Sequence, residues 1–79
     1  MEVKAILNDS VKNIKQSIKD LLKEKAVKMP ASDIDAFLKH QNVDEIKELC
    51  EEMYHNGEIS RTANYRYFKL GYAEYDIYN

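Results

Sequence analysis

The stretch that decides the fold is residues 42–70, which read NVDEIKELCEEMYHNGEISRTANYRYFKL. It opens on Asn42, and Glu45 follows at the spacing of a capping box, which predicts that a helix begins here. Apolar side chains then recur at helical spacing and predict one buried face, formed by Ile46, Leu49, Cys50 and Met53. Gly57, which follows Asn56, is typical of a residue that ends a helix in the left-handed conformation.

A short hairpin is predicted directly after this helix. Ile59 opens the first strand, and residues 62–64 form the turn. The second strand is expected to contain Tyr65, Tyr67 and Phe68. We expect the open side of the helices to be covered by Ile59 and by two or three of Tyr65, Tyr67, Phe68 and Leu70. Short helices alone bury too little apolar surface for an independent domain.

Two further helices are predicted before residue 42. The first has apolar side chains at alternating steps of four and three, at Leu7, Val11, Ile14, Ile18 and Leu21. Ser10 is a suitable N-cap, in which case residues 2–7 either form a preceding turn or extend the same helix. The helix is expected to end near Lys25, because lysines are stabilised by the negative end of the helix dipole. The pattern covers only about two heptads, which is too few to indicate a coiled coil. Packing against a core is therefore the better interpretation.

The second helix is expected to be short. Apolar and polar residues alternate weakly over residues 26–29, and Pro30 follows. This pattern favours an extended segment, because the residue before a proline is kept out of the α region. Ser32 then predicts the N-cap, and the helix ends around His40. Its expected buried side chains are Ile34, Phe37 and Leu38.

With its elements in this order, the chain resembles the winged-helix branch of the helix-turn-helix superfamily. The resemblance covers about residues 10–70 and rests mainly on the apolar face of the third helix, its ending at Asn56 and Gly57, and the aromatic strand that follows. It implies a mainly α-helical fold of three helices with a small β-hairpin, the two-stranded wing. It also implies the DNA-binding role in which this fold is most often found. Residues 71–79 form a tail with three tyrosines and an isoleucine, which suits an added edge strand or a segment ordered by a partner.

The composition predicts one folded domain over residues 1–79. Hydrophobic residues make up 44% and charged residues 33% of the 79-residue chain, which is too apolar for a disordered one. No apolar run approaches the roughly 20 residues that a membrane span needs, and the first residues carry charge too early for a signal peptide. A single cysteine, Cys50, excludes an internal disulfide and favours a reducing, cytoplasmic location.

Charge is unevenly distributed, although the net charge is only −2. Residues 1–28 hold seven lysines against four acids, whereas residues 29–79 hold five basic residues against ten acids. The first helix carries a lysine stripe within an arc of roughly 80°, formed by Lys12, Lys15, Lys19 and Lys23. The third helix carries an acidic face within an arc of roughly 120°, formed by Asp44, Glu45, Glu48, Glu51 and Glu52. Each set is either a binding surface or the solvated side of its helix, and the two sets could complement each other in a homodimer.

Nucleic-acid binding is predicted through the wing and the first helix. The acidic face would repel phosphates, whose neutralisation by cations provides most non-specific affinity, so the third helix is not expected to read the major groove. Arginines beside aromatic rings suit a phosphate pair, a minor groove or a stacked base. The candidate contacts are the lysine stripe together with Arg61, Asn64 and Arg66.

A protein–protein interaction module is the alternative. It would use the acidic face together with the tyrosines of the tail, which are Tyr72, Tyr75 and Tyr78. The isoelectric point of 5.6 favours this alternative, because nucleic-acid-binding domains commonly exceed about 9. DNA and a protein therefore both stay candidate partners, a homodimer is possible, and no membrane contact is expected.

Catalysis is not expected. Cys50 lies on the apolar face, and His55 follows five residues later, a spacing that does not align two side chains on a helix. The acid pair Asp33 and Asp35 is better explained as first-turn residues of the second helix. No cysteine or histidine spacing for a metal and no phosphate-binding loop is found in the sequence, so no metal or cofactor is predicted.

Overall fold

The computed structural model describes the backbone of residues 2–71 and the side chains of residues 10–71. Its elements in chain order are α1 (Glu2–Lys25), β1 (Met29–Pro30), α2 (Ala31–Leu38), α3 (Val43–His55), β2 (Ile59–Arg61) and β3 (Arg66–Lys69). The strands form one antiparallel sheet in the order β1-β3-β2. The prediction of a mainly helical chain with a small hairpin is therefore confirmed. The added strand is β1, whereas the predicted edge strand of the tail falls on residues 72–79, outside the described residues.

Helix α1 is the longer of the two alternatives that the sequence left open. Its backbone is helical from Glu2, so residues 2–7 extend the same helix. The predicted N-cap at Ser10 is wrong, since Ser10 lies inside the helix. Among the heptad-spaced side chains that the structure describes, Ile18 is fully buried, and the neighbouring Leu22 is fully buried as well. Partly buried side chains of the same face are Val11, Ile14 and Leu21.

Strand β1 brings the connection between α1 and α2 into the sheet. Met29 pairs with Tyr67, and Pro30 pairs with Arg66. The N–H of Thr62 donates to the carbonyl of Arg66 over 2.9 Å, so the polar backbone groups of Arg66 face β2. Because antiparallel pairs alternate, Tyr67 exchanges its backbone hydrogen bonds with Met29. Pro30 and Arg66 therefore form a pair that exchanges no backbone hydrogen bonds. A proline, which has no N–H, is tolerated at such a position.

Helix α2 begins at Ala31, directly after β1, so the predicted cap at Ser32 is wrong. Ile34 is buried as expected, and Leu38 is partly buried against the core. Phe37 is 55% exposed, so its expected core position is wrong. The reason is geometric, because the core side of this short helix runs through residues 31, 34, 35 and 38, and Phe37 lies off that strip.

Asp35 anchors the start of α3. It is only 7% exposed, and its carboxylate accepts hydrogen bonds from the N–H groups of Gln41 (3.1 Å) and Asn42 (2.8 Å). The Asn42 side chain accepts from the N–H of Glu45 over 3.2 Å, which confirms Asn42 as the N-cap. The other half of the predicted capping box is not formed, because Asp35 already holds the Asn42 N–H. The Glu45 carboxylate binds the imidazole of His40 instead.

Helix α3 ends where the sequence predicted. The N–H of Gly57 (φ 78°) donates to the carbonyl of Tyr54 over 3.0 Å. The next N–H, that of Glu58, donates to the carbonyl of Met53 over 2.8 Å. This pair of bonds is a Schellman motif, which satisfies the last carbonyls of the helix and turns the chain into the hairpin.

One core lies between the helices and the inner face of the sheet. Its members are Ile18, Leu22, Met29, Ala31, Ile34, Ile46, Leu49, Cys50, Met53, Ile59 and Tyr67. The predicted apolar face of α3 and the predicted core position of Ile59 are therefore confirmed. Tyr65 was expected in the second strand and instead lies in the turn with φ 62°, while β3 begins at Arg66. Phe68 is also buried, and the Lys28 ammonium lies 5.7 Å from its ring centre.

Candidate functional site

Glu51 joins α3 to the hairpin. Its carboxylate accepts hydrogen bonds from Nη1 of Arg61 over 2.6 Å and from the hydroxyl of Tyr67 over 2.5 Å. The imidazole of His55 lies 3.8 Å from the same carboxylate. Burial, the hydrogen bond to Glu51 and the charge of Glu51 raise the pKa of the Tyr67 phenol well above its ordinary value. Tyr67 therefore stays protonated and acts as a hydrogen-bond donor at neutral pH.

The acidic face is divided between internal contacts and solvent. Besides Glu51, Glu45 binds His40 and Glu52 binds Lys15. Asp44 and Glu48 are exposed and make no ion pair within the described part of the chain. The acids therefore do not form one continuous free surface, because the hairpin and α1 cover one side of it. A role of these five acids in binding a partner stays a prediction.

The lysine stripe is divided in the same way. Lys15 binds Glu52, and the Lys19 ammonium lies 3.1 Å from the Glu58 carboxylate. Lys12 and Lys23, at the two ends of the stripe, are exposed and have no acidic partner among residues 10–71. The stripe and the acidic face thus complement each other within the molecule, at Lys15 and Glu52. Fewer charged side chains are therefore left for the pairing between two molecules that a homodimer would use.

Arg61 is held between two tyrosine rings. Its guanidinium carbon lies 4.3 Å from the ring centre of Tyr54 and 4.6 Å from that of Tyr65. With Nη1 bound to Glu51, the Arg61 side chain is only 19% exposed, and its Nε is buried without a hydrogen-bond partner. The Lys47 ammonium lies 4.6 Å from the Tyr65 ring centre. Arg61, which was predicted to contact phosphate, therefore belongs to the internal contacts between α3 and the hairpin.

The other predicted wing residues lie at the surface. Arg66 is exposed at the start of β3. Asn64 is exposed in the turn, where its Oδ1 accepts a hydrogen bond from the Thr62 hydroxyl. Tyr72, Tyr75 and Tyr78 lie outside the described residues. Of the wing candidates that the structure describes, Arg66 and Asn64 are the ones placed for an external contact.

A groove between α1 and the open end of the hairpin was not predicted. It is open to solvent and has a volume of about 560 Å³. Its lining residues are Lys19, Lys23, Glu58, Ile59, Lys69, Leu70 and Gly71. The hydrogen bond from Lys19 is the main reason why the pKa of the Glu58 carboxyl is lowered. No local sequence signal could have located this groove, because only the tertiary fold brings residues 69–71 beside α1.

Of the groups weighed for catalysis, Cys50 lies on the apolar face of α3 as the sequence indicated. Cys50 is buried, and this burial together with the charge of Glu51 raises the pKa of its thiol to about 12. A thiol that stays protonated is a poor nucleophile at neutral pH. His55 is exposed at the end of α3. Over the described residues, no group of three or more histidine, cysteine or acidic side chains is placed to hold a metal ion.

Comparisons with known protein families, with curated proteins and with solved structures found no match to this chain. Within residues 2–71, the longest helix is too polar for a membrane span, and the other helices are too short for one.

Proposed function

We propose that the protein is a small, non-catalytic binding module of winged-helix type that recognises a protein partner through the groove between α1 and the hairpin. The order of the elements supports the fold assignment: a helix, a short strand, two helices and a hairpin whose central strand pairs with the earlier one. The groove carries the functional assignment. It combines cationic and apolar side chains in one concave surface, which is the composition of a recognition site.

The distribution of ion pairs favours a protein partner over a nucleic acid. Arg61, Lys15 and Lys19 were expected to contact phosphates, and each binds a carboxylate of the same chain. Affinity for nucleic acid comes mainly from cations that neutralise phosphates. A surface whose cations are neutralised internally gains little of this affinity. Binding through the wing and first helix therefore rests on Lys12, Lys23 and Arg66, which do not converge on one described groove.

The experiment compares three forms of the full chain in affinity capture from an extract of the source cells. The double variant Lys23→Glu with Leu70→Asp alters the groove, and Lys12→Glu is the matched control because Lys12 belongs to the same stripe but lies outside the groove. We expect a protein that wild type and Lys12→Glu retain at physiological salt and that the groove variant loses.

Titrations of labelled duplex and single-stranded DNA at several salt concentrations complete the test. Weak binding that disappears at physiological salt supports the proposal. Tight DNA binding whose salt dependence falls by about one unit in Arg66→Ala would identify a phosphate contact and replace the proposal with nucleic-acid binding.

A further inference from the structure

The groove has a positive charge balance. Lys19 and Lys23 lie four residues apart and therefore project from the same face of α1, and Lys69 approaches from the end of β3. Among the described lining residues, the single acid is Glu58, and it is hydrogen-bonded to Lys19 over 3.1 Å. The two lysines of α1 against one glutamate leave a local excess of positive charge in a chain whose net charge is −2.

The same groove has an apolar part. Ile59 is 2% exposed and forms the floor, whereas Leu70 is 60% exposed at the rim. An inorganic anion would neutralise the lysines but leave Leu70 in water. A purely apolar ligand would cover Leu70 and leave the Lys23 ammonium without a counter-charge, which is unfavourable once that group is desolvated. The ligand that satisfies both parts carries a carboxylate and an apolar group.

We propose that this groove binds a short, extended peptide in which an acidic side chain stands beside an apolar one. This proposal rests on the protein-binding function proposed above and specifies the chemistry of the partner. The carboxylate faces the ammonium groups of Lys19 and Lys23, and the apolar side chain covers Leu70 and Ile59. The volume of about 560 Å³ lies within the range of roughly 300–1,000 Å³ of clefts that enclose small ligands.

Glu58 limits the affinity of the groove for acids. It occupies Lys19 and places a negative charge on the same surface that receives the ligand carboxylate. Replacing it by glutamine removes the repulsion and releases the Lys19 ammonium. The variant Glu58→Gln should therefore bind the acidic peptide more tightly, a result that a merely structural role of Glu58 does not produce.

A single-stranded nucleic acid also carries negative charge and apolar faces, but the groove fits it less well. Bases bind to such proteins by stacking on aromatic rings, and none of the described lining residues is aromatic. Along α1, the next lysines beyond the groove are Lys15, which is paired with Glu52, and Lys25, whose ammonium lies 5.0 Å from the Phe37 ring centre. The cationic site is therefore short, which suits one or two carboxylates and not a run of phosphates.

The experiment uses an array of synthetic eight-residue peptides in which Asp or Glu alternates with Leu, Ile, Phe or Tyr. Two matched arrays replace the acids by Gln or the apolar residues by Ser. The best peptide is labelled, and its dissociation constant is measured by fluorescence anisotropy for the full-length chain. We expect selective binding to the acidic-apolar array. We expect Lys23→Glu and Leu70→Asp to weaken it by about fivefold or more, since one charge or apolar contact typically changes affinity by such factors. Glu58→Gln should strengthen binding, and Lys12→Glu should leave it unchanged.

Equal binding to the array that contains Gln in place of the acids would overturn the proposal. So would a labelled single-stranded oligonucleotide that binds more tightly than the peptides and is lost in Lys23→Glu. A full-chain variant carrying Glu74→Gln and Asp76→Asn tests the chain's own C-terminal acids. Tighter peptide binding by this variant would assign the groove to that segment and not to a partner. If no peptide binds but the capture experiment still yields a protein that depends on the groove, the proposed function stands and this peptide chemistry is wrong; if both fail, both are wrong.

Discussion

The hydroxyl of Tyr67 in the central strand donates a hydrogen bond of 2.5 Å to the carboxylate of Glu51 in α3. The same carboxylate accepts a hydrogen bond of 2.6 Å from Arg61 in β2. One side chain of the helix therefore binds both strands of the hairpin. The position of the hairpin relative to α3 depends on this carboxylate as well as on the apolar core beneath it.

We predict that Tyr67→Phe destabilises the protein although it preserves the aromatic ring. The change removes a hydrogen bond to a charged and largely buried acceptor, which is worth about 1.5–3 kcal/mol. The free energy of unfolding, measured by urea titration, should fall by this amount. Tyr65→Phe is the matched control, since its ring contacts Arg61 but its hydroxyl makes no described hydrogen bond. A loss below about 0.5 kcal/mol, the level of ordinary surface substitutions, would contradict the importance of this bond.

We predict that Asp35→Ala weakens the junction between α2 and α3. It leaves the N–H groups of Gln41 and Asn42 without their carboxylate, and the expected loss is about 2–3 kcal/mol in the free energy of unfolding. Hydrogen exchange at the Asn42 amide should accelerate as well. Asp33→Ala serves as the control, because Asp33 is an exposed acid of the same helix. Equal effects of the two substitutions would show that helix charge matters here and the hydrogen bonds do not.

We predict that the thiol of Cys50 is unreactive in the folded protein. Its pKa is raised by burial and by Glu51 to about 12, from an ordinary value of 9.0. Ellman's reagent at pH 8 should therefore label the denatured protein and leave the native protein unlabelled over the same time. Rapid labelling of the native state, at a rate independent of denaturant, would mean that the thiol is accessible.

The same pKa shift predicts a loss of stability in alkali. Above pH 9 the unfolded chain releases the Cys50 proton while the folded chain retains it, so the free energy of unfolding falls as the pH rises. Urea midpoints measured between pH 8 and pH 10.5 should decline less steeply in Cys50→Ala than in wild type. The comparison of slopes separates this effect from the constant cost of the smaller side chain.

The sequence predicted those features whose signals are local. Asn42 and Gly57 mark the ends of α3 because cap residues act on backbone groups only a few residues away. The apolar face around Leu49 follows from the helical period alone. The predicted N-cap at Ser10 was wrong because the helical pattern of apolar residues already begins before it. A residue type that caps helices does not start one in the middle of such a pattern. Phe37 was misplaced because a short helix presents only a narrow strip to the core.

The candidate site depended on contacts that no local pattern contains. Asp35 was assigned to a first helical turn, and the structure makes it a buried acceptor for two amides of a later loop. Arg61 was expected at the surface, but β2 packs against α3 and places Arg61 beside Glu51. The groove joins Lys23 to Leu70, residues 47 positions apart in the sequence. Such pairings are decided by the packing of whole elements.

Pro30 has a consequence for the behaviour of the protein at high concentration. The N–H of residue 30 would point away from β3, toward the outer edge of the sheet, and a proline has none. A further strand that approached β1 would find no amide donor at this position. Natural sheets use proline in this way to prevent edge-to-edge aggregation. We therefore expect this edge to resist β-sheet polymerisation, so that any self-association of the folded protein uses another surface.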